Sequence, residues 1–331
     1  MATLVPYRSR PHPGAGPVLL VSSVGGHFTE LELVVDALRI DRADRHWAVA
    51  RHIQTEDRLA GEDVTWSPLV QSREYGKAMR NLRFAMALHR RLRPRLLVST
   101  GAAQAAPHLI AAARSRTPIV YVESVARLDG PSITGRLAAS LPNVRLLAPQ
   151  PGWPKPWAFE LDAFSAFEVR PTGTTSPVTS VLVALGSEQF PFDRAVHAVE
   201  RVLPPTVEVT WQVGNTDCAD GLARNRWLTT TELTTAMARA DVVITHAGAG
   251  SILTALAAGK VPVVLPRRAG RGEHRDDHQV RMAQGLAARG LAVDAGSPEA
   301  LSLEHLRLAG ALQVTRSSQP ISVVGTDQIV A

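Results

Sequence analysis

The sequence predicts an α/β protein made of two doubly wound domains, and two observations carry that prediction. Apolar strand-like runs end in glycine turns that open helices, and this pattern starts twice, from residue 18 and again from residue 181. Between the two series lies Arg170 to Pro177, polar and bounded by prolines, which predicts a linker.

The elements follow in chain order. Residues 1–16 are rich in Pro, Gly and Arg and predict a mobile tail. Val18 to Ser22 reads as a buried strand, Gly25-Gly26-His27 as the turn, and Leu31, Leu33, Val34, Val35 and Leu38 as the continuing helix. A second unit runs from the strand Leu96 to Thr100 through Gly101 into a helix around Leu109 to Ala113. Pro118 to Val122 is a further strand ending in Glu123-Ser124, and Val144 to Leu147 is expected to close this half. The second half offers Val181 to Leu185, the turn Gly186-Ser187 and a helix from Arg194 to Leu203. Val242 to Thr245 then enters His246-Ala-Gly-Ala-Gly250, Ser251 to Ala258 continues as helix, and Val261 to Leu265 is one more buried strand. The boundaries are thus 17–169 for the first domain, 170–177 for the linker and 178–331 for the second, with few signals after Gly310. Two such Rossmann-like halves leave a cleft where ligands meet the carboxyl ends of the strands.

Composition bounds the function. With 331 residues, 45% hydrophobic and 20% charged, the chain has material for about two cored domains rather than disorder. The single cysteine, Cys218, permits no internal disulfide and reads as a chance loop residue, which fits a reducing, cytoplasmic setting. Pro6, Pro11 and Pro13 break any secretory signal, and the apolar stretch Val242 to Ala258 is too polar at Thr245, His246 and Ser251 to span a bilayer. The net charge of +6 favours anionic partners, although an arginine bias also follows from a GC-rich genome.

The glycine turns carry the chemistry. His246-Ala-Gly-Ala-Gly-Ser251 brings backbone amides and a helix N-terminus to one place, which suits a phosphate; the same pattern also serves plain tight packing. It is neither a dinucleotide fingerprint, whose third glycine would fall at Leu253, nor a P-loop, which needs Gly-Lys-Ser/Thr. His27, at the matching turn of the first half, would be neutral in the positive field of a helix start. It could serve as a general base, donate to a phosphate or cap its helix. The segment Gly272 to Gln279 is the most polar after a strand and suits sugar hydroxyls, or is a solvated loop. His274 and His278 stand four apart, which raises a metal, but Arg275 occupies the place of the zincin glutamate, so no metal is expected.

Several of these motifs together resemble a known family. Val21-Ser-Ser-Val-Gly-Gly-His-Phe-Thr-Glu-Leu31, Ser99-Thr-Gly101, Tyr121-Val-Glu-Ser-Val-Ala-Arg127 and Ser132-Ile-Thr-Gly-Arg136 resemble the Alg14-like subunit of a two-part UDP-sugar glycosyltransferase. Val183-Ala-Leu-Gly-Ser187, Phe190-Pro-Phe-Asp-Arg194, His246 to Ser251 and Asp276-Asp-His-Gln279 resemble its Alg13-like subunit. The chain is similar also to PssD/PssE polysaccharide enzymes and, more distantly, to MurG, with both parts fused and the resemblance spanning residues 17–295. The resemblance implies a GT-B fold and a UDP-sugar donor, with no cofactor or metal. His246, Gly248, Ala249, Gly250 and Ser251 would face the diphosphate, with Gly186 and Ser187 nearby. Glu273, Asp277 and Gln279 would face the ribose and donor sugar. Gly25, Gly26, His27, Glu123 and Arg127 would lie on the acceptor side, Glu123 and Arg127 being equally readable as a structural ion pair.

The mechanism this implies is a single inverting displacement, with His27 taking the acceptor proton and the amides of residues 248–251 stabilising the departing diphosphate. The donor sugar would be GlcNAc, Glc or GlcA, and the acceptor a lipid-linked saccharide. The family's first-half subunit often carries an N-terminal membrane anchor, and none is expected here. Lys77 to Arg95 is the candidate for peripheral contact with an anionic inner membrane face, with Met79, Leu82 and Met86 on one side and Arg80, Arg83, Arg90 and Arg91 on another; an ordinary surface helix reads the same way. No aromatic stacking set accompanies the arginines, so no nucleic acid is expected. The rivals are a natural-product glycosyltransferase, a nucleotide-sugar epimerase and a non-catalytic nucleotide-binding subunit.

Overall fold

The computed structural model describes residues 16–70, 75–127, 130–159, 161–173, 177–186, 190–216 and 227–317. The chain divides into two compact units, the first reaching Ala163 and the second covering Phe164–Ser318. The predicted 1–16 tail lies outside the described residues except for Gly16, as do Cys218 and Ser187.

The first unit is one parallel sheet. Its strands are β1 (Val18–Ser22), β2 (Arg45–Ala50), β3 (Val64–Ser67), β4 (Leu96–Ser99), β5 (Ile119–Val122), β6 (Val144–Ala148) and β7 (Ala158–Phe159), in the order β3-β2-β1-β4-β5-β6-β7. The helices α1 (Gly26–Ala37), α2 (Ile53–Arg58), α3 (Tyr75–Leu92), α4 (Ala106–Ser115) and α5 (Ile133–Ala139) connect them. The central β1 is buried along its whole length, which is why its sequence is a continuous apolar run rather than an alternating one. Helix α1 buries Phe28, Leu31, Val34 and Val35, one stripe at helical spacing. Ser132 caps α5 by accepting from the Gly135 amide at 2.9 Å.

The second unit holds a five-stranded parallel sheet and a two-stranded antiparallel one. Its strands are β8 (Phe167–Pro171), β9 (Ser180–Ala184), β10 (Glu208–Gln212), β11 (Val242–His246), β12 (Val263–Leu265), β13 (Val293–Asp294) and β14 (Leu312–Arg316). The large sheet runs β10-β9-β11-β12-β13, and β14 pairs with β8. The helices are α6 (Asp193–Val202), α7 (Thr230–Arg239), α8 (Ala249–Ala257), α9 (His278–Ala288) and α10 (Leu303–Gly310). A capping box of Thr229 and Glu232 starts α7.

Several expectations change. Val144 to Leu147 does not end the first sheet, because β7 adds beyond it. The units part at Ala163, earlier than residue 170, and Arg170 and Pro171 belong to β8 rather than to a linker. The segment after Gly310 is not featureless: β14 pairs antiparallel with β8, Val314 opposite Val169. A partner about 140 residues distant leaves no local signal. Helix α3 buries Asn81, Ala85, Leu88 and His89, leaves Leu82 and Met86 half-buried and exposes Arg80, Arg83, Arg90 and Arg91. Its apolar side is therefore largely spent on the protein's own core. No described helix is long and apolar enough to cross a membrane.

Candidate active site

Both sheets reverse their strand order once, between β1 and β4 in the first unit and between β9 and β11 in the second. In doubly wound folds such switch points open a crevice at the carboxyl ends of the strands. All the predicted glycine turns leave from these strand ends.

In the first unit Gly25 takes φ 74°, which a glycine adopts without strain, and its carbonyl receives the first amides of α1 from Phe28 and Thr29. This sets His27 on the opening turn, half-buried. Its Nδ1 lies 2.8 Å from the Thr100 carbonyl, while Thr100 Oγ1 donates to the His27 carbonyl at 2.6 Å. A carbonyl only accepts, so Nδ1 carries a proton, and in the neutral ring the basic lone pair sits on Nε2. The two arms of the switch point are thereby locked together through His27.

One turn along, Glu30 is 4% exposed and accepts from Ser124 Oγ at 2.9 Å. Burial, with the neighbouring Glu123 carboxylate adding to it, pushes Glu30 up to about 8. Glu30 is a neutral acid at pH 7, and sequence reasoning missed it because an acidic residue inside a helix ordinarily faces solvent. Glu123, expected on the acceptor side, is bonded to its own chain. It is 1% exposed; Oε2 takes the Ser132 amide at 2.9 Å and Oγ at 3.0 Å, and Oε1 takes the Ser124 amide at 3.3 Å. Its carboxylate ties Ser124 to Ser132, and burial raises its pKa against those hydrogen bonds. Arg127, half-buried, is near enough to Glu123 to offset part of that rise.

In the second unit, Gly186 follows β9 at φ 80° and Gly248 precedes α8. A Cβ at Gly186 would lie 2.2 Å from His246 Nε2, and one at Gly248 would lie 2.5 Å from His246 Cε1. Both glycines are therefore needed to admit the His246 ring, a reason distinct from room for a phosphate. His246 is 6% exposed, and burial, ahead of the nearby Arg267 guanidinium, pushes it down to about 3, so the ring is neutral. Helix α8 has no side-chain cap. Among the described residues nothing accepts from the amides of Ala249, Gly250 and Ser251, which point off the helix start. Gly248, Gly250 and Ser251 are half-buried, so the end of the helix is reachable from solvent.

Arg267 is the residue that ties this region together, and sequence reasoning missed it, since arginines of basic runs are usually solvated. It is 1% exposed. Its Nη2 donates to Leu185 O at 2.9 Å and its Nη1 to Phe190 O at 2.7 Å and Glu273 O at 3.2 Å, with the guanidinium carbon 4.6 Å over the Phe192 ring. Glu273, expected toward the ribose and donor sugar, is 6% exposed and makes a bidentate pair with Arg194, at 2.6 and 2.9 Å. Gln279 is 2% exposed and accepts the Arg267 amide at 3.2 Å; no described group accepts from its Nε2. Asp277 is exposed and holds the Ala269 amide at 2.9 Å.

Residues 180–319 match the Glycosyltransferase family 28 C-terminal domain. The chain is 32% identical over 237 residues to the UDP-N-acetylglucosamine--N-acetylmuramyl-(pentapeptide) pyrophosphoryl-undecaprenol N-acetylglucosamine transferase of Xylella fastidiosa (strain M12). That match covers 66% of this chain and 62% of the relative, so the chain spans less than two thirds of that protein. The fold is similar to that of Acinetobacter baumannii MurG, with a TM-score of 0.53 and 17% identity over 88% of this chain and 89% of the other. It is also similar to the glycosyltransferase SnogD of Streptomyces nogalater, with a TM-score of 0.56 and 21% identity over 89% and 93%. Residues 180–319 of the second unit are thus similar to a family 28 C-terminal domain, and the fold is of the GT-B class that these structures share.

Proposed function

We propose that this protein is an inverting glycosyltransferase that moves a sugar, GlcNAc being favoured, from a UDP-sugar to a lipid-linked acceptor. The observation that carries the reading is the open start of α8 at the second switch point, where three successive backbone amides have no described acceptor. Amides fixed in this way stabilise charge appearing on a departing diphosphate without reorganising during the reaction. The likeness to a transferase whose name specifies UDP-N-acetylglucosamine and a pyrophosphoryl-undecaprenol acceptor supports the substrate classes.

In this proposal His27 removes the acceptor hydroxyl proton through Nε2, with Thr100 fixing the tautomer. The nucleophile attacks the anomeric carbon as the bond to the diphosphate breaks, and the amide field of α8 takes the place of a metal in that step. Asp277 and the Nε2 end of Gln279 are the proposed contacts for donor hydroxyls. The order of the two halves, acceptor side first, follows the fused Alg14-like and Alg13-like arrangement. The exposed arginines of α3 would approach an anionic cytoplasmic membrane face by charge alone, each worth about 1 kcal/mol near such a surface. Salt-sensitive sedimentation with anionic vesicles checks this.

The deciding experiment pairs UDP-sugars with a short-chain lipid-diphosphate saccharide and measures UDP release and product. Wild type should release UDP only when acceptor is present, which separates a transferase from an epimerase or a binding subunit. His27→Ala should lose about 10²-fold or more in kcat. Near-normal turnover of His27→Ala would remove the base from this mechanism. Absence of UDP release with every donor would remove the activity itself.

A further inference from the structure

The segment between β12 and α9 has a property that the transfer reaction does not use. His274, Asp276 and His278 are all half-buried, and their ligand-capable atoms lie within 4.8 Å of one another. Asp276 Oδ1 is hydrogen-bonded to His278 Nδ1 and lies 3.4 Å from His274 Nδ1. The two imidazole rings meet edge to face with centroids 4.5 Å apart.

The backbone that carries these side chains is held on both sides. Just before His274, the Glu273 carboxylate is paired with Arg194, and the Glu273 carbonyl accepts from Arg267. Just after His278, Gln279 is buried and bonded to the Arg267 amide. Within the segment Asp277 fastens the Ala269 amide, and the His274 ring lies 6.1 Å from that of Phe190. Three ligand side chains therefore project from a short loop whose ends cannot drift. Such support is what metal ligands require, because an ion rewards only donors already placed to within a fraction of an ångström.

From this geometry we propose that His274, Asp276 and His278 form a binding site for one divalent transition-metal ion of the zinc class. Two imidazole nitrogens and one carboxylate oxygen select zinc, cobalt or nickel over magnesium or calcium, which take all-oxygen sets. The ion takes the place of the hydrogen bond between Asp276 and His278: His278 ligates through Nδ1 as a neutral imidazole with its proton on Nε2, and Asp276 as a carboxylate. That pair must part slightly, since nitrogen and oxygen ligands about 2.0–2.1 Å from a zinc ion stand further from each other than hydrogen-bonded atoms do. Three protein ligands leave at least one coordination position for water or an added anion. The ion would lock the loop that presents Asp277 and Gln279, independently of whether the transfer step proposed above is correct.

The test uses tag-free, chelator-stripped full-length protein titrated with cobalt(II) and zinc(II). One equivalent of cobalt should bind, with visible d–d absorption of a low-coordinate site that zinc abolishes by displacement, and zinc but not magnesium should raise the melting temperature. His278→Ala should abolish the absorption. His274→Phe, which keeps a ring against Phe190 and so guards the fold, should abolish it as well. Failure to take up an equivalent of either ion would overturn the proposal, as would uptake that persists unchanged in both variants.

Discussion

The His246 ring sets a quantitative test of why glycines stand at the second switch point. Gly248 has φ −86° and ψ 133°, ordinary extended backbone that alanine adopts freely. Its replacement by alanine therefore has one large cost, the contact of the new Cβ with His246 Cε1 at 2.5 Å. The ring cannot easily retreat, because Gly186 closes in at its Nε2. Overpacking of this kind costs about 1–3 kcal/mol, to which the weaker capping preference of alanine adds about 0.5 kcal/mol. For a unit of this size that is a fall in Tm of roughly 4–12 °C. Gly186→Ala carries the same kind of contact, at 2.2 Å, and in addition the strain of φ 80°, about 1–2 kcal/mol. The decisive measurement is a pair of double-mutant cycles with His246→Ala, read by urea denaturation. Removing the ring should reduce the Gly248→Ala penalty to about 0.5 kcal/mol. The Gly186→Ala penalty should fall only to the backbone strain that remains, about 1–2 kcal/mol. An unchanged Gly248→Ala penalty without the ring would refute the steric account.

Two further outcomes follow from buried titratable groups in the first unit. His89 and His108, 3% and 1% exposed with ring centroids 5.9 Å apart, are held by burial down to about 4 and about 3. Both folded-state values lie below the unfolded value of about 6.5, so unfolding takes up protons in acid. Stability should therefore be full above about pH 6.5 and decline as pH falls toward 4, and His108→Leu should flatten that decline in chemical denaturation at pH 5 and 7. Glu30 has the opposite sign. Its folded value of about 8 lies above the unfolded one, so stability is lost as pH rises from about 4.5 to 8. Glu30→Gln keeps an acceptor for Ser124 and removes the ionisation; relative to wild type it should gain about 3 kcal/mol between pH 4.5 and pH 7, and an equal pH slope in both proteins would show that Glu30 is ionised.

The fold was legible where burial is two-sided. β1, β4, β5, β9 and β11 are central strands, and their runs of Val, Leu and Ile announce them. β2 was missed because Arg45 and His46 interrupt its run, and the reason His46 can be buried there lies elsewhere: Asp63 and Thr65 hold its two ring nitrogens at 2.7 and 2.8 Å. β8 and β14 were missed because each is the other's only signal. In the site, the turns at Gly25, Gly186 and Gly248 were placed correctly at strand ends, since a strand followed by glycine and helix is a local pattern. What each polar residue does there was less visible, because role depends on contacts that cross the sequence.

That difference sorts the site into framework and chemistry. Glu123, Glu273 and Arg267 are the residue types from which a reader of sequence builds an active centre, yet each is buried and bonded to its own chain. Burying such groups is tolerable only because those bonds replace water, and a group so committed cannot also bind a ligand without giving them up. Their contribution is to fix the loops that leave the sheet. By contrast, the amides at the start of α8 have no described acceptor, and in the first unit Thr100 fixes the His27 proton on Nδ1. Alanine at Gly250 or Ser251 keeps every one of these amides and should disturb donor binding only through added bulk, whereas Ser251→Pro deletes one amide N–H within the first turn, where proline is tolerated, and should weaken donor binding.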